Sequence, residues 1–140
     1  MWCLLIGLLM PVADEPKQAD LTAMQGEWGC TLNIRNGQRQ PDDVAETLFR
    51  DVKDDVVTVS LFDKALQKSK IKLNPQASPK EIDSTMLDGP AKDKVSLGIY
   101  EFKDGQLYLC VAQPGQPRPT SFESKPGSNT SLTVWKLNKK

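Results

Sequence analysis

The chain has 140 residues, of which 39% are hydrophobic and 26% are charged, the composition of one ordinary folded domain. Lysine plus arginine and aspartate plus glutamate each number 18, so a net charge of zero gives no electrostatic reason to expect nucleic acid or an anionic membrane surface as a partner. The absence of histidine excludes Ser-His-Asp and Cys-His catalysis and the usual histidine-containing zinc sites.

The N-terminal segment is an apolar run with the character of a signal-peptide core. Residues 2–12 (WCLLIGLLMPV) carry no charge and are too few to span a bilayer. Ala13 then supplies a small residue at which a signal peptidase could cut. The pattern predicts a signal peptide over 1–13, a polar linker over 14–19 and export to the periplasm or the extracellular space, with no transmembrane span. The alternative is a buried N-terminal strand or helix.

The first strand is predicted directly after one short helical turn, for which Asp20 is a suitable N-cap. Apolar and polar residues then alternate, so that one face of the strand carries Trp28, Cys30, Leu32 and Ile34. The strand ends at Asn36-Gly37, a dipeptide that favours a tight hairpin turn.

The middle of the chain predicts one short helix and three strands. The segment QPDDVAETLF begins with a proline and two aspartates, which suit the start of a helix. Residues 57–61 alternate between apolar and hydroxyl side chains, as in a strand. The lysine-rich LQKSKIKLNP is typical of a strand at an edge or washed by solvent. In SPKEIDSTM, alternation again predicts a strand.

The strongest supersecondary pattern is SLGIYEFKDGQLYLCVAQPG. Its two apolar, aromatic-rich runs flank Asp104-Gly105, which favours a two-residue hairpin turn. The proline-rich QPGQPRPTSFESKPGS follows and predicts a long loop with one brief strand near Phe122. The segment SLTVWKL predicts a closing strand.

These elements predict an all-β fold over 20–140. The chain offers about eight strands, turns at roughly ten-residue spacing and almost no helix. Closing such a meander removes the unpaired edges of an open sheet. The prediction is therefore a small antiparallel up-and-down β-barrel, lipocalin-like, with a short helical turn before the first strand. A barrel of about eight strands holds either packed side chains or one small ligand.

Two resemblances support this fold. The GEW segment at 26–28 resembles the G-x-W that opens the first strand of lipocalins, whose tryptophan packs across the closed end beneath an arginine near the last strand. Here the closing strand SLTVWKLNKK carries Lys136 and no arginine. Almost the whole chain after the leader resembles an uncharacterised lipocalin-like domain family expanded in Planctomycetes, through LGIYE, LCVAQPG, RPTSF and KPGS in that order. This resemblance implies a barrel in exported proteins and implies no activity, substrate or catalytic residue.

The candidate ligand-binding residues are apolar side chains on predicted strands and one arginine. Trp28, Tyr100, Ile99 and Leu109 either line a cavity or fill the core. Arg118 lies between two prolines that hold its backbone extended, so its guanidinium could meet a carboxylate. It could equally pin the long loop to the barrel rim or cover the tryptophan, and a structural role is the preferred interpretation.

Other chemistry has little support in the sequence. Cys30 and Cys110 are predicted to be two buried thiols rather than a disulfide, since both lie within strands. The acidic DVKDD lacks the glycine and terminal glutamate of a calcium loop. No metal and no cofactor are predicted.

The prediction for function is an exported, non-catalytic and monomeric domain that binds a small apolar molecule. The alternative is a protein-interaction or structural module of the cell envelope, whose barrel is filled and whose partner is another envelope protein. A cavity of a few hundred cubic ångströms would distinguish the first from the second.

Overall fold

The computed structural model describes residues 14–139, so the predicted signal peptide lies outside the described residues. The first element is helix α1 (Asp14–Ala23). The segment 14–19, predicted to be a linker, forms the first part of this helix, and Asp20 lies within the helix rather than at its N-cap. Neither helix in the described part of the chain is long and apolar enough to cross a membrane.

Nine antiparallel strands and one further short helix follow α1. They are β1 (Gly26–Arg35), β2 (Gln38–Arg39), helix α2 (Asp42–Ala45), β3 (Leu48–Lys53), β4 (Val56–Leu61), β5 (Lys64–Asn74), β6 (Lys80–Met86), β7 (Val95–Lys103), β8 (Gln106–Ala112) and β9 (Thr130–Lys139). Neighbours along the chain pair with each other from β3 to β9, β1 pairs with β3, and β9 returns to pair with β1. Eight strands thus close a barrel, and β2 only extends β1 as a hairpin.

This architecture confirms the predicted all-β, lipocalin-like, up-and-down barrel with a short helix before its first strand. Two predicted turns are confirmed as well. Asn36 and Gly37 have φ of 51° and 83°, and Asp104 and Gly105 have φ of 53° and 75°, the positive values that tight hairpin turns require.

The barrel has two unlike ends. The end that carries α1 is called the closed end. There the buried Met24 accepts a 2.9 Å hydrogen bond at its backbone oxygen from the indole Nε1 of Trp28, which is only 3% exposed. The Gln25 side chain also bonds both the backbone N–H and the backbone carbonyl of Asp54 in the β3–β4 turn. These contacts fasten α1 across the barrel and confirm the predicted burial of Trp28.

The opposite end is called the open end. It carries the β1–β2 turn, α2, the β4–β5 turn, the loop 87–94 and the long loop 113–129. Because successive strands run in opposite directions, every second connection lies at this end. The cavity described below opens here.

The inward face of β1 differs from the predicted one. The pairing of β1 with β9 shifts by one residue at Thr31, which is left as a bulge between Cys30 and Leu32. A one-residue shift moves every later side chain to the other face of the sheet. Asn33 is therefore buried inside the barrel, while Leu32 and Ile34 are half-buried on its outer side.

Three further predictions need correction. Strand β3 was not predicted, because its inward positions include the charged Arg50 between Leu48 and Val52. Strand β5 is no edge strand, since β4 and β6 pair with it on both sides, although its lysines are solvent-exposed. The segment around Phe122 forms bends and turns rather than a strand.

The long loop 113–129 lies against the outer face of the barrel. Ile99 in β7 and Cys110 in β8 pair with each other on that face, and both are 0% exposed. The Cys110 thiol donates a 3.3 Å hydrogen bond to the backbone oxygen of Glu123 in the loop. The second apolar face of this hairpin therefore packs against the chain's own loop.

Candidate ligand cavity

The open half of the barrel contains a cavity of about 380 Å³. Pockets that hold small molecules have volumes of roughly 300–1,000 Å³. The closed half is instead filled by a packed core that includes Trp28, Val52, Ile71, Tyr100 and Leu107. The cavity thus lies between this core and the open end.

The cavity exists because the inward-facing residues of several strands become smaller toward the open end. Inward positions near the closed end carry large apolar side chains, and the next inward positions toward the open end carry small hydroxyl side chains. On β5 the change runs from Ile71 to Ser69, and on β6 from Ile82 to Ser84. On β7 it runs from Tyr100 through Gly98 to Ser96. Small side chains cannot fill the space that a leucine or tyrosine would, so the open half stays hollow.

The cavity wall is part apolar and part polar. Apolar contact is offered by Leu48, Val57, Val59, Met86, Leu109, Val111 and Trp135. Hydroxyl and amide groups are offered by Asn33, Gln67, Ser69, Ser84, Ser96, Ser131 and Thr133. Such a wall suits an amphipathic molecule better than a purely apolar one.

The most unusual side chain of the cavity is Arg50. It lies in the middle of β3, where the register sets it between Trp28 of β1 and Val59 of β4, and it is 7% exposed. Its Nε and Nη2 atoms are buried and make no hydrogen bond. It belongs to none of the ion pairs formed among the described residues. Burial lowers the pKa of Arg50 to about 10, so the guanidinium is still charged at neutral pH.

The electrostatic balance inside the cavity differs from that of the whole chain. Two arginines line it, the buried Arg50 and the exposed Arg35, and none of the lining residues in the described chain is acidic. Asn33 adds a buried Oδ1 atom that accepts no hydrogen bond. The whole chain has no net charge, whereas folding brings these two cations to one cavity.

The predicted ligand-binding residues do not form one group. Leu109 lines the cavity. Trp28 and Tyr100 belong to the packed core of the closed half. The Tyr100 hydroxyl donates a 2.7 Å hydrogen bond to Asp20 Oδ2, which also accepts one from Lys80 at 3.0 Å. Ile99 faces outward beneath the long loop.

Arg118 also lies outside the cavity. Its Nη1 donates to the backbone oxygen of Gly98 at 2.8 Å, and its Nη2 donates to Asp83 Oδ1 at 2.7 Å. Its Nε lies 3.5 Å from a carboxylate oxygen of Glu81. The guanidinium thus binds groups on the outer faces of β6 and β7 and attaches the long loop to the barrel. This agrees with the structural role preferred from the sequence.

The two described cysteines are free and lie on opposite faces of the barrel wall. Cys30 is in the inner core, where burial raises its thiol pKa to about 11. Burial likewise raises the pKa of Cys110 on the outer face. Thiolate is the reactive form of cysteine, so both thiols are poor nucleophiles at neutral pH. No three acidic or cysteine side chains within the described range are grouped to hold a metal ion.

Sequence reasoning missed Arg50, Asn33 and the hydroxyl-bearing wall. A signal for Arg50 does exist in LFRDVK, where an arginine alternates with two aliphatic residues just before the turn-forming Asp54. Asn33 required knowledge of the bulge at Thr31, which only the pairing with β9 reveals. Comparison of the chain with protein-family models, with curated proteins and with solved structures gave no match.

Proposed function

We propose that this protein is an exported, non-catalytic domain that binds one small amphipathic molecule inside its barrel. The observation that carries the proposal is the cavity of about 380 Å³ in the open half. Protein interiors are close-packed, and a small barrel without a ligand has side chains enough to fill its lumen. A hollow half therefore supports a binding role over a filled module.

The chemistry of the lining supports binding rather than catalysis. Hydroxyl groups need an adjacent base to become nucleophiles. The described residues around the cavity include no aspartate, glutamate, histidine, cysteine or lysine that could act as that base. The wall therefore offers contact and hydrogen bonding without a means of proton transfer.

The surroundings of the cavity mouth support passage of an apolar ligand. The large hydrophobic side chains exposed on the described surface are Val44, Leu61, Phe62, Leu66, Leu87 and Val95. Val44 lies in α2, Leu61 and Phe62 lie at the end of β4 and in the turn after it, Leu66 lies near the start of β5, and Leu87 and Val95 lie at the two junctions of loop 87–94. All six therefore lie toward the open end. An apolar group that enters or leaves the barrel there meets apolar surface.

Titration with the neutral fluorescent probe N-phenyl-1-naphthylamine tests the proposal. We expect saturable binding with a Kd of about 1 μM or lower, which corresponds to about −8 kcal/mol. Ser84→Phe places a bulky ring on the cavity wall and should weaken binding at least about tenfold. Thr85→Phe is the matched control, because it alters the next residue of β6 on the outer face and should leave the Kd unchanged.

The opposite result is equally informative. If the wild-type protein binds no neutral probe, or if Ser84→Phe binds as well as wild type, the binding proposal is wrong. The apolar side chains at the open end would then favour the second candidate function, a protein-interaction module of the cell envelope.

A further inference from the structure

We propose that the ligand carries one carboxylate and that Arg50 binds it. This inference rests on the proposed binding function, and it assigns the head group that the cavity selects. It begins from a buried cation in the cavity wall whose Nε and Nη2 atoms have no partner in the protein.

The two unpartnered nitrogens are the pair that best fits a carboxylate. The N–H bonds of Nε and Nη2 point in parallel from one edge of the planar guanidinium. A carboxylate presents two oxygens at a matching separation, and such bidentate pairs are among the strongest hydrogen-bonded contacts in proteins. A neutral amide or alcohol presents one acceptor oxygen and no charge, so it cannot form two parallel, charge-assisted hydrogen bonds.

The charge of the cavity points to a monoanion. Only one of its two cations is buried, since Arg35 is exposed at the mouth. A buried charge is tolerated when it is paired, and one carboxylate neutralises one guanidinium. Among the described lining residues no carboxylate competes with a ligand for Arg50.

Other residues of the cavity lining indicate the character of the rest of the ligand. Val57, Val59 and Trp135 offer apolar surface to a hydrocarbon or ring. The unpartnered Oδ1 of Asn33 can accept a hydrogen bond from a hydroxyl or N–H group on the ligand. The chemical class is thus a small monocarboxylic acid with an apolar body, small enough for a volume of about 380 Å³.

Competition against the neutral probe tests the inference with three molecules of equal chain length: decanoate, decanamide and decylammonium. At pH 7 we expect wild type to bind decanoate at least about tenfold more tightly than decanamide, and decylammonium most weakly. The preference should persist at high salt, because a buried pair is screened far less than a surface pair.

Variants then show which residue is responsible for the preference for decanoate over decanamide. Arg50→Gln should still bind the neutral probe but distinguish decanoate from decanamide by less than about twofold. Arg39→Gln is the matched control, because Arg39 forms an exposed ion pair with Asp42 and does not line the cavity, and it should keep the wild-type preference. Arg50→Lys keeps the charge and loses the planar fork, so it should show an intermediate preference.

Three results separate the two proposals. If wild type fails to bind the neutral probe, the proposed function itself is wrong. If it binds the neutral probe but treats decanoate and decanamide alike, binding stands and the carboxylate inference is overturned without recourse to any variant. If Arg50→Gln folds, as checked by circular dichroism, and retains the preference, the role of Arg50 is overturned.

Discussion

At the scale of the residue, the buried charge of Arg50 lowers the stability of the folded barrel. Burial lowers its pKa in the folded protein to about 10, below that of the exposed group, so above about pH 10 the unfolded chain binds more protons. Stability should therefore rise as pH increases above about 10, and the full cost of the buried charge is present at neutral pH. At about 1.4 kcal/mol per pKa unit, that cost is on the order of 3 kcal/mol.

Arg50→Met should accordingly stabilise the ligand-free protein. Methionine has a similar length and carries no charge, and replacement of buried ionic groups by apolar ones has stabilised other proteins by about 1–4 kcal/mol. We expect a gain in the free energy of unfolding of about 1–3 kcal/mol, measured by urea denaturation at pH 7. A loss of stability would mean that the guanidinium makes favourable contacts in the folded barrel.

Sequence alone could predict the burial of Trp28 and could not predict that of Arg50. The tryptophan is apolar and opens an alternating strand, so its burial follows from the strand pattern. A charged residue in a short segment is ordinarily taken as exposed, because burial of an unpaired charge is costly. Arg50 is nevertheless buried, in the wall of the cavity. Residues that depart from the general rule that charged side chains are exposed are frequently functional.

At the scale of the element, the long loop 113–129 is held to the barrel by Arg118. Loops of this length without secondary structure are uncommon unless they are anchored or functional. The guanidinium joins the loop to the Gly98 carbonyl and the Asp83 carboxylate, and beneath the loop lies the thiol of Cys110. Loop 113–129 therefore covers Cys110, and removal of the Arg118 side chain should loosen it.

Arg118→Ala should expose Cys110 to thiol reagents. Loss of hydrogen bonds to charged groups lowers the free energy of opening by about 1.5–3 kcal/mol, so labelling of Cys110 should accelerate about tenfold or more. The rate is measured with a disulfide reagent at pH 8, followed by peptide mass analysis. Cys30, in the inner core, serves as the internal control and should label at its wild-type rate.

Arg39→Ala provides the matched variant for this experiment, because the Arg39 side chain forms an exposed ion pair with Asp42 and no hydrogen bond to loop 113–129 in the described structure. It should leave both labelling rates unchanged. Equal labelling of Cys110 in the wild-type and Arg118→Ala proteins would show that other contacts hold the loop in place.

The elements that sequence predicted well are those whose signals are local. The Asp104-Gly105 hairpin and strand β6 follow from turn chemistry and simple alternation. Strand β3 and the bulge at Thr31 were missed for a different reason. Their inward and outward faces are decided by pairing with strands distant in the chain, and no window of a few residues contains that information.

At the scale of the whole molecule, a neutral chain has a cavity with only positive side chains among its described charged lining. Net charge describes the far field of a protein and not the distribution of charges inside it. The net charge and the charge of the cavity differ because the closed barrel turns Arg50 inward and leaves the acidic residues of the described strands outside or at the ends.

Binding of a monocarboxylate should therefore stabilise the entire fold. At a decanoate concentration 100 times its Kd, mass action adds about 2.7 kcal/mol to the free energy of unfolding. We expect the thermal midpoint measured by calorimetry to rise with decanoate concentration in the wild-type protein. Decanamide at the same concentration should raise it less, and a midpoint unchanged by decanoate would contradict ligand binding to the folded state.

The pairing of β1 with β9 has a consequence for folding during synthesis. Thr31 bonds through its side chain to the backbone of Val134, a residue 103 positions later. While a ribosome is still making the chain, β1 has no partner on that side, and both β1 and β8 present unpaired backbone groups. Contacts of such sequence separation form slowly, and open strand edges invite pairing with other chains. The cavity wall includes Ser131, Thr133 and Trp135 of β9, so the cavity cannot close before β9 has been synthesised. Until then the open edges of β1 and β8 expose the nascent chain to aggregation.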